Sequence, residues 1–298
     1  MVATLLGSSI ALLPAPAFAA KVACGSTITT STTLKANIGP CPGIGLVIGA
    51  SGITLNCAGH TISGSTGSNA GISLSGITGA TVKNCVVTGF YYGFLLIASS
   101  TNKLLKNTAN GNVEYGFYLD ASSSNTLTGN TASSNGDRGF IIADSSANNI
   151  LTNNVADNNN SDGFLLMDSS SNKLTGNTAN SNRDDGFMLT AVSGYSNGNK
   201  LVKNTASGNN IGFDLTGFSN SNTFNNNTAS GNSNSGFMID TSSNKLSKNV
   251  ANSNSYYGYF DFTTGSGKAG TANTYSLDKC SSNIVGGSYP TGLCTPQS

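Results

Sequence analysis

The sequence is poor in the residues that normally build and decorate a globular domain. It has no Trp, one His, six Pro and only 9% charged residues in 298, where about a quarter would be usual. The formal net charge is +1, which excludes a general electrostatic pull toward nucleic acid or an anionic membrane. No stretch shows a 3.6-residue apolar period, so helices are not expected. Nor is there a long apolar run, apart from the uncharged Met1–Ala20. There Ile10–Phe18 is short, is broken by Pro14 and Pro16, and runs into the small-x-small pattern Ala17-Phe18-Ala19. That is the form of a cleaved signal peptide over residues 1–20, although no Lys or Arg precedes it. The expectation is a secreted, periplasmic or cell-surface protein with no transmembrane segment after cleavage.

What is abundant is Gly (37) and Asn (40). Composition alone would suggest a polar, disordered chain, but the polar residues recur in register. Gly-Phe pairs at Gly93, Gly116, Gly139, Gly163, Gly186, Gly212 and Gly236, with Gly258-Tyr259, are separated by 23, 23, 24, 23, 26, 24 and 22 residues. Each unit reads G-F-x-[LI], a Ser-rich turn, then N-x-L-x-x-N-x-A-x-x-N. Its columns are aromatic (Phe94 to Tyr259), aliphatic (Leu104, Leu127, Ile150, Leu174, Leu201, Phe224, Leu246) and small (Ala109 to Ala251). Spacings of two within short runs mean strands. One unit cannot bury its apolar positions alone, whereas stacked units make a continuous core. Leucine-rich repeats need a different consensus, and a left-handed hexapeptide helix a six-residue period. The fold expected is all-β, a single-stranded right-handed parallel β-helix of about nine to ten coils.

A column of Asn84, Asn107, Asn130, Asn154, Asn177, Asn204, Asn227 and Asn249, extended by Asn56, should form an inward ladder in which each amide bonds its neighbours above and below. The domains expected are an N-terminal cap at 21–50, the helix at 51–261 and a C-terminal cap at 262–298. Cys57 and Cys85 fall in one column on adjacent coils, within disulfide reach. Cys24 with Cys41 and Cys280 with Cys294 complete three sequential couples, which suit an oxidising compartment.

The segment Gly52-Ile-Thr-Leu-Asn-Cys-Ala-Gly-His-Thr-Ile-Ser-Gly64, followed by N-x-T-x-x-N coils, resembles the pectin-lyase-like superfamily, and within it the NosD-type right-handed β-helix repeat proteins. The resemblance implies the fold. It does not fix an activity, because that superfamily mixes lyases, hydrolases, epimerases and proteins without known activity. It also raises copper, but one His (His60) and dispersed Met residues are a poor copper set.

Glu114, Asp137, Asp162 and Asp184-Asp185 stand just before successive Gly-Phe pairs and should stack along one turn, with Tyr115 and Arg138 at equivalent positions. Asp144 and Asp168 make a second stacked pair. Such acids are either exposed turn residues or hard ligands for Ca²⁺; no other cofactor is indicated. The residue after each Phe (Leu95, Tyr118, Ile141, Leu165, Met188, Asp214, Met238, Phe260) should point outward as an apolar stripe. Stripe and turn together describe a groove for an extended polysaccharide, with Glu114, Tyr115, Tyr118, Asp137, Arg138, Asp162, Asp184 and Asp185 as its binding residues. The alternatives are a polysaccharide lyase or glycoside hydrolase working through the acidic turn, or a structural or adhesive module; oligomeric state is not indicated.

Overall fold

Most described coils pass through three short strands, and each strand pairs in parallel with its counterpart one coil away. The computed structural model describes residues 22–65 and 67–296, so the expected signal peptide at 1–20 lies outside the described residues. The first sheet holds twelve parallel strands, from Ser26–Ile28 to Gly286–Tyr289, and carries the Gly-Phe motif. The second holds eleven, from Thr32–Thr33 to Thr274–Ser276. The third is split into four and six strands, which single bridges through Thr131 and Val155 join. The result is a parallel β-helix with an Asn-laddered interior, as the repeat predicts. Its coils run on into both segments expected as caps.

Alternation puts the expected columns inside. The rings from Phe94 to Tyr259 stack at the strand spacing, centroids 4.6–4.9 Å apart and planes within 8° of parallel. The aliphatic column differs at one place. Ile150 faces solvent at 44% exposure, and Leu151 takes the core position between Leu127 and Leu174. The glycine before each Phe is required by packing. A Cβ on Gly139 would lie 2.7 Å from the Gly163 carbonyl oxygen and 2.8 Å from the Ala156 methyl.

The polar interior holds three asparagine ladders, one for each corner of the prism. They run from Asn102 to Asn273, from Asn107 to Asn249, and from Asn112 to Asn283. Asn154 illustrates the bonding. Its Oδ1 accepts the backbone N–H of Asn130 (2.9 Å) and the Asn130 Nδ2 (2.9 Å). Its own Nδ2 donates to the Leu127 carbonyl (2.9 Å) and to Asn177 Oδ1 (3.0 Å). Both donors and both lone pairs are used.

Asn84 and Asn56 do not belong to this ladder, which corrects the expected column. Asn84 sits one residue earlier, in the left-handed conformation (φ 53°) shared by Lys106 and Asn153. The rung below Asn107 is Cys85, whose N–H donates to Asn107 Oδ1, and Cys85 is tied to Cys57 with Cα atoms 4.7 Å apart, one strand spacing. At the other end Asp278 accepts both the N–H and the Nδ2 of Asn249. Cys24–Cys41 and Cys280–Cys294 also pair as expected.

Candidate functional site

The acids expected in one stack occupy two adjacent columns. Main-chain hydrogen bonds align Tyr91, Glu114, Asp137, Ser161, Asp184, Asn210, Asn234 and Tyr256 as one row. Tyr92, Tyr115, Arg138, Asp162, Asp185, Ile211, Ser235 and Tyr257 form the next, immediately before the glycines. The difference matters for burial. Asp184 is exposed, whereas Asp162 and Asp185 are only 2% and 6% exposed. The simple alternative of exposed turn residues therefore fails for those two.

The second row lies on the outer face of the first sheet beside the residues that follow each Phe. That stripe does point outward, paired strand to strand from Leu95 to Phe260. It is not fully open, because Ile141 and Leu165 are covered by a small external cluster with Tyr115, Tyr118, Met167 and Met188.

Along nine strands this face changes character twice. At one end Tyr92 stacks on Tyr115 (5.4 Å), and Tyr118 packs against both at 5.7 and 5.6 Å. Tyr91 beside them donates its hydroxyl to the Glu114 carboxylate, which, with burial, holds the phenol proton up to about 12. A recess of about 310 Å³ between Gly67–Asn69 and Tyr91–Tyr92 adjoins this cluster. At the far end Phe260 meets Tyr257 (5.2 Å), Phe262 (4.2 Å) and Tyr289 (5.4 Å). The two aromatic ends span about 38 Å at a strand spacing of about 4.8 Å. A larger cavity, about 560 Å³, lies elsewhere, at the N-terminal mouth of the core around Ile28, Leu34 and Ile38.

Between the aromatic ends lie the ions. Arg138 Nε donates to Asp162 Oδ2 (2.8 Å), and its Nη1 reaches Asp137 (3.1 Å). The other Asp162 oxygen accepts the Asp185 N–H (3.2 Å), and Asp185 Oδ1 accepts the N–H of Ile211 (3.2 Å). Asp214, one strand on, lies near enough for its charge to act on the Asp185 carboxyl. Burial, then the neighbouring carboxylates Asp214 and Asp162, push Asp185 up to about 8. Burial, then Asp240 and Asp162, push Asp214 up to about 7. Both carboxyls therefore hold their protons well above the ordinary carboxylate range.

Asp214 was visible in the sequence only as a break in the apolar stripe, where it pairs with Met188; its nearness to Asp185 is what gives it a role. Asp168 is used otherwise, since its carboxylate accepts the N–H groups of Val192, Ser193 and Gly194 and anchors that loop. His60 contacts Asn37. Among the described residues no three His, Cys, Asp or Glu side chains converge as a metal site, and the acids of the buried row are committed to Arg138 and backbone N–H groups.

A family model for the right handed beta helix region matches residues 51–199. The chain belongs to that family. Solved β-helix structures share its architecture. A mutant of the periplasmic alginate epimerase AlgG is 14% identical over 88% of this chain and 73% of its own, with a TM-score of 0.57. The A-module of the mannuronan C-5 epimerase AlgE6 from Azotobacter vinelandii is 15% identical over 93% and 88%, TM-score 0.58. The catalytic domain of a GH87 alpha-1,3-glucanase, in complex with nigerose, is 17% identical over 93% and 63%, TM-score 0.50. At such identities the likeness shows the β-helix fold. No curated protein matches the sequence.

Proposed function

We propose that this β-helix binds an extended carbohydrate polymer along the outer face of its first sheet, outside the cytoplasm. The observation that carries the reading is the strip itself, with aromatic rings at both ends of a row of paired polar groups. Rings offer flat apolar faces to sugar rings, and the carboxylates and Arg138 offer hydrogen-bond partners to hydroxyls. The names of the structural relatives, two epimerases and a glucanase, support a polysaccharide partner, and three disulfides support an oxidising compartment.

Retention on immobilised glycans tests this. The chain should be retarded by at least one neutral polysaccharide, and Tyr115→Ala with Tyr118→Ala should abolish the retardation without lowering the melting temperature by more than a few degrees. Equal retardation of the variant would overturn it. The Asp185–Asp214 pair favours a second reading, acid–base cleavage of the bound polymer. Glycosidases that work with two carboxyls need both to flank the scissile bond, whereas Asp185 is buried, so binding is the stronger reading. Cleavage of a glycan that Asp185→Asn abolishes would reverse that order.

A further inference from the structure

The net charge of +1 conceals a division between faces. All acidic residues except Asp157 and Asp278 lie on the strands of the first sheet or in the turns flanking them. No Asp or Glu lies on any strand of the second sheet. Its strands and the corner that follows carry eight of the fourteen basic residues instead, at Lys83, Lys103, Lys106, Lys173, Lys200, Lys203, Lys245 and Lys248. Lys173 and Lys200 are direct neighbours across adjacent strands. Lys200 and Lys245 flank Thr223, and Lys203 and Lys248 project from the same corner. Seven of the eight are exposed, and the only ion pairs among the described residues are those of Arg138.

We propose that this second face docks a linear polyanion, specifically an acidic polysaccharide, independently of the strip on the first sheet. Five lysines, from Lys173 to Lys248, lie within three strand spacings, about 14 Å. Their like-charge repulsion has no internal partner to offset it, and a polyanion laid along the stack would relieve it. Lysine is a flexible point charge, suited to carboxylates spaced along a chain rather than to one bidentate anion. The face has no aromatic side chain pointing outward on which bases could stack, which disfavours single-stranded nucleic acid. Outward residues there are mostly Thr, Asn and Ser, with Leu105, Ile150 and Val202 as scattered apolar exceptions, so there is no apolar surface to enter a lipid bilayer. The acidic first face sets the orientation, because it repels the same polymer.

The test is binding of the full chain to sodium polygalacturonate, with dextran and phosphatidylglycerol–phosphatidylcholine vesicles as comparators, over a salt series. Five contacts give a slope of log K against log salt of up to about −3.5, or about a hundredfold loss between roughly 50 and 200 mM salt. Replacing Lys200, Lys203, Lys245 and Lys248 with Gln should weaken polygalacturonate binding at least tenfold at low salt and flatten the slope to about −0.7. Glycan retention that depends on Tyr115 and Tyr118 should persist in that variant, so the two faces fail separately. Wild-type binding by the quadruple variant overturns the proposal. So does binding to the vesicles alone, or low-salt self-association by light scattering that the variant abolishes while polygalacturonate stays unbound.

Discussion

Removing one rung of an asparagine ladder should cost far more than removing a surface asparagine from the same coil. In Asn154→Ala the backbone N–H of Asn130 loses its acceptor, and the Asn130 amide, the Leu127 carbonyl and Asn177 each lose a partner. Asn130 and Leu127 are completely buried, so water cannot substitute. At about 1–3 kcal/mol for each buried group left unsatisfied, two such groups give a loss of about 2–6 kcal/mol. Asn160→Ala, on the exposed turn of the same coil, should stay within about 0.5 kcal/mol. Urea unfolding gives the global difference, and hydrogen exchange locates it: protection of the Asn130 amide should collapse while that of distant coils persists. A loss below about 0.5 kcal/mol with unchanged Asn130 protection would refute the ladder as a source of stability.

Three other outcomes follow from the geometry. Asp185 and Asp214 bind protons more tightly in the folded chain, with values of about 8 and about 7, than in the unfolded one, near 4. Their stabilisation is full below pH of about 4 and is lost as pH rises through about 8, so the Tm should fall from pH 5 to pH 8.5 and Asp185→Asn should flatten the decline; a Tm rising over that range would contradict the pairing. Gly139→Ala places a methyl 2.7 Å from the Gly163 carbonyl, and calorimetry should show at least about 1–3 kcal/mol of destabilisation. Replacing Cys57 and Cys85 by Ala opens a crosslink of sequence separation 28, which should cost about 3–4 kcal/mol in chemical denaturation.

Much of this architecture was legible because consecutive coils repeat the same residue in the same column. The Phe stack and the Ala column emerge from alignment on Gly-Phe, and the Cys57–Cys85 pair from a shared column on neighbouring coils. The misplacements have local causes. The coil from Phe117 to Phe140 and the next differ in the turn Asp144–Asn149, where one extra residue shifts the core position from Ile150 to Leu151. Lys83-Asn84 imitates Lys106-Asn107, yet the column continues through Cys85, because a disulfide rather than an amide closes the ladder there. In the candidate site, the row of residues before the glycines was legible, but which acids are covered was not. That depends on contacts made across strands, such as Arg138 against Asp162. The separation of charge between faces escaped a reading based on the sum, because +1 averages over opposite sides of the prism.

The ladder through Asn154 has a direction, and its ends differ chemically from its middle. Every internal rung accepts from the coil before it and donates to the coil after it, whereas Asp278 takes the Asn249 hydrogens with a group that accepts without donating. An additional coil inserted between Asn107 and Asn249 would inherit a donor from one side and an acceptor from the other, leaving no polar atom stranded. One appended beyond Asp278 would find an acceptor where it needs an amide. Length can therefore change by duplication within the interior while both terminators stay fixed, and each duplicated coil would lengthen both outer faces by one more row. Reach along a polymer is, in this construction, a quantity that gene duplication can adjust one coil at a time.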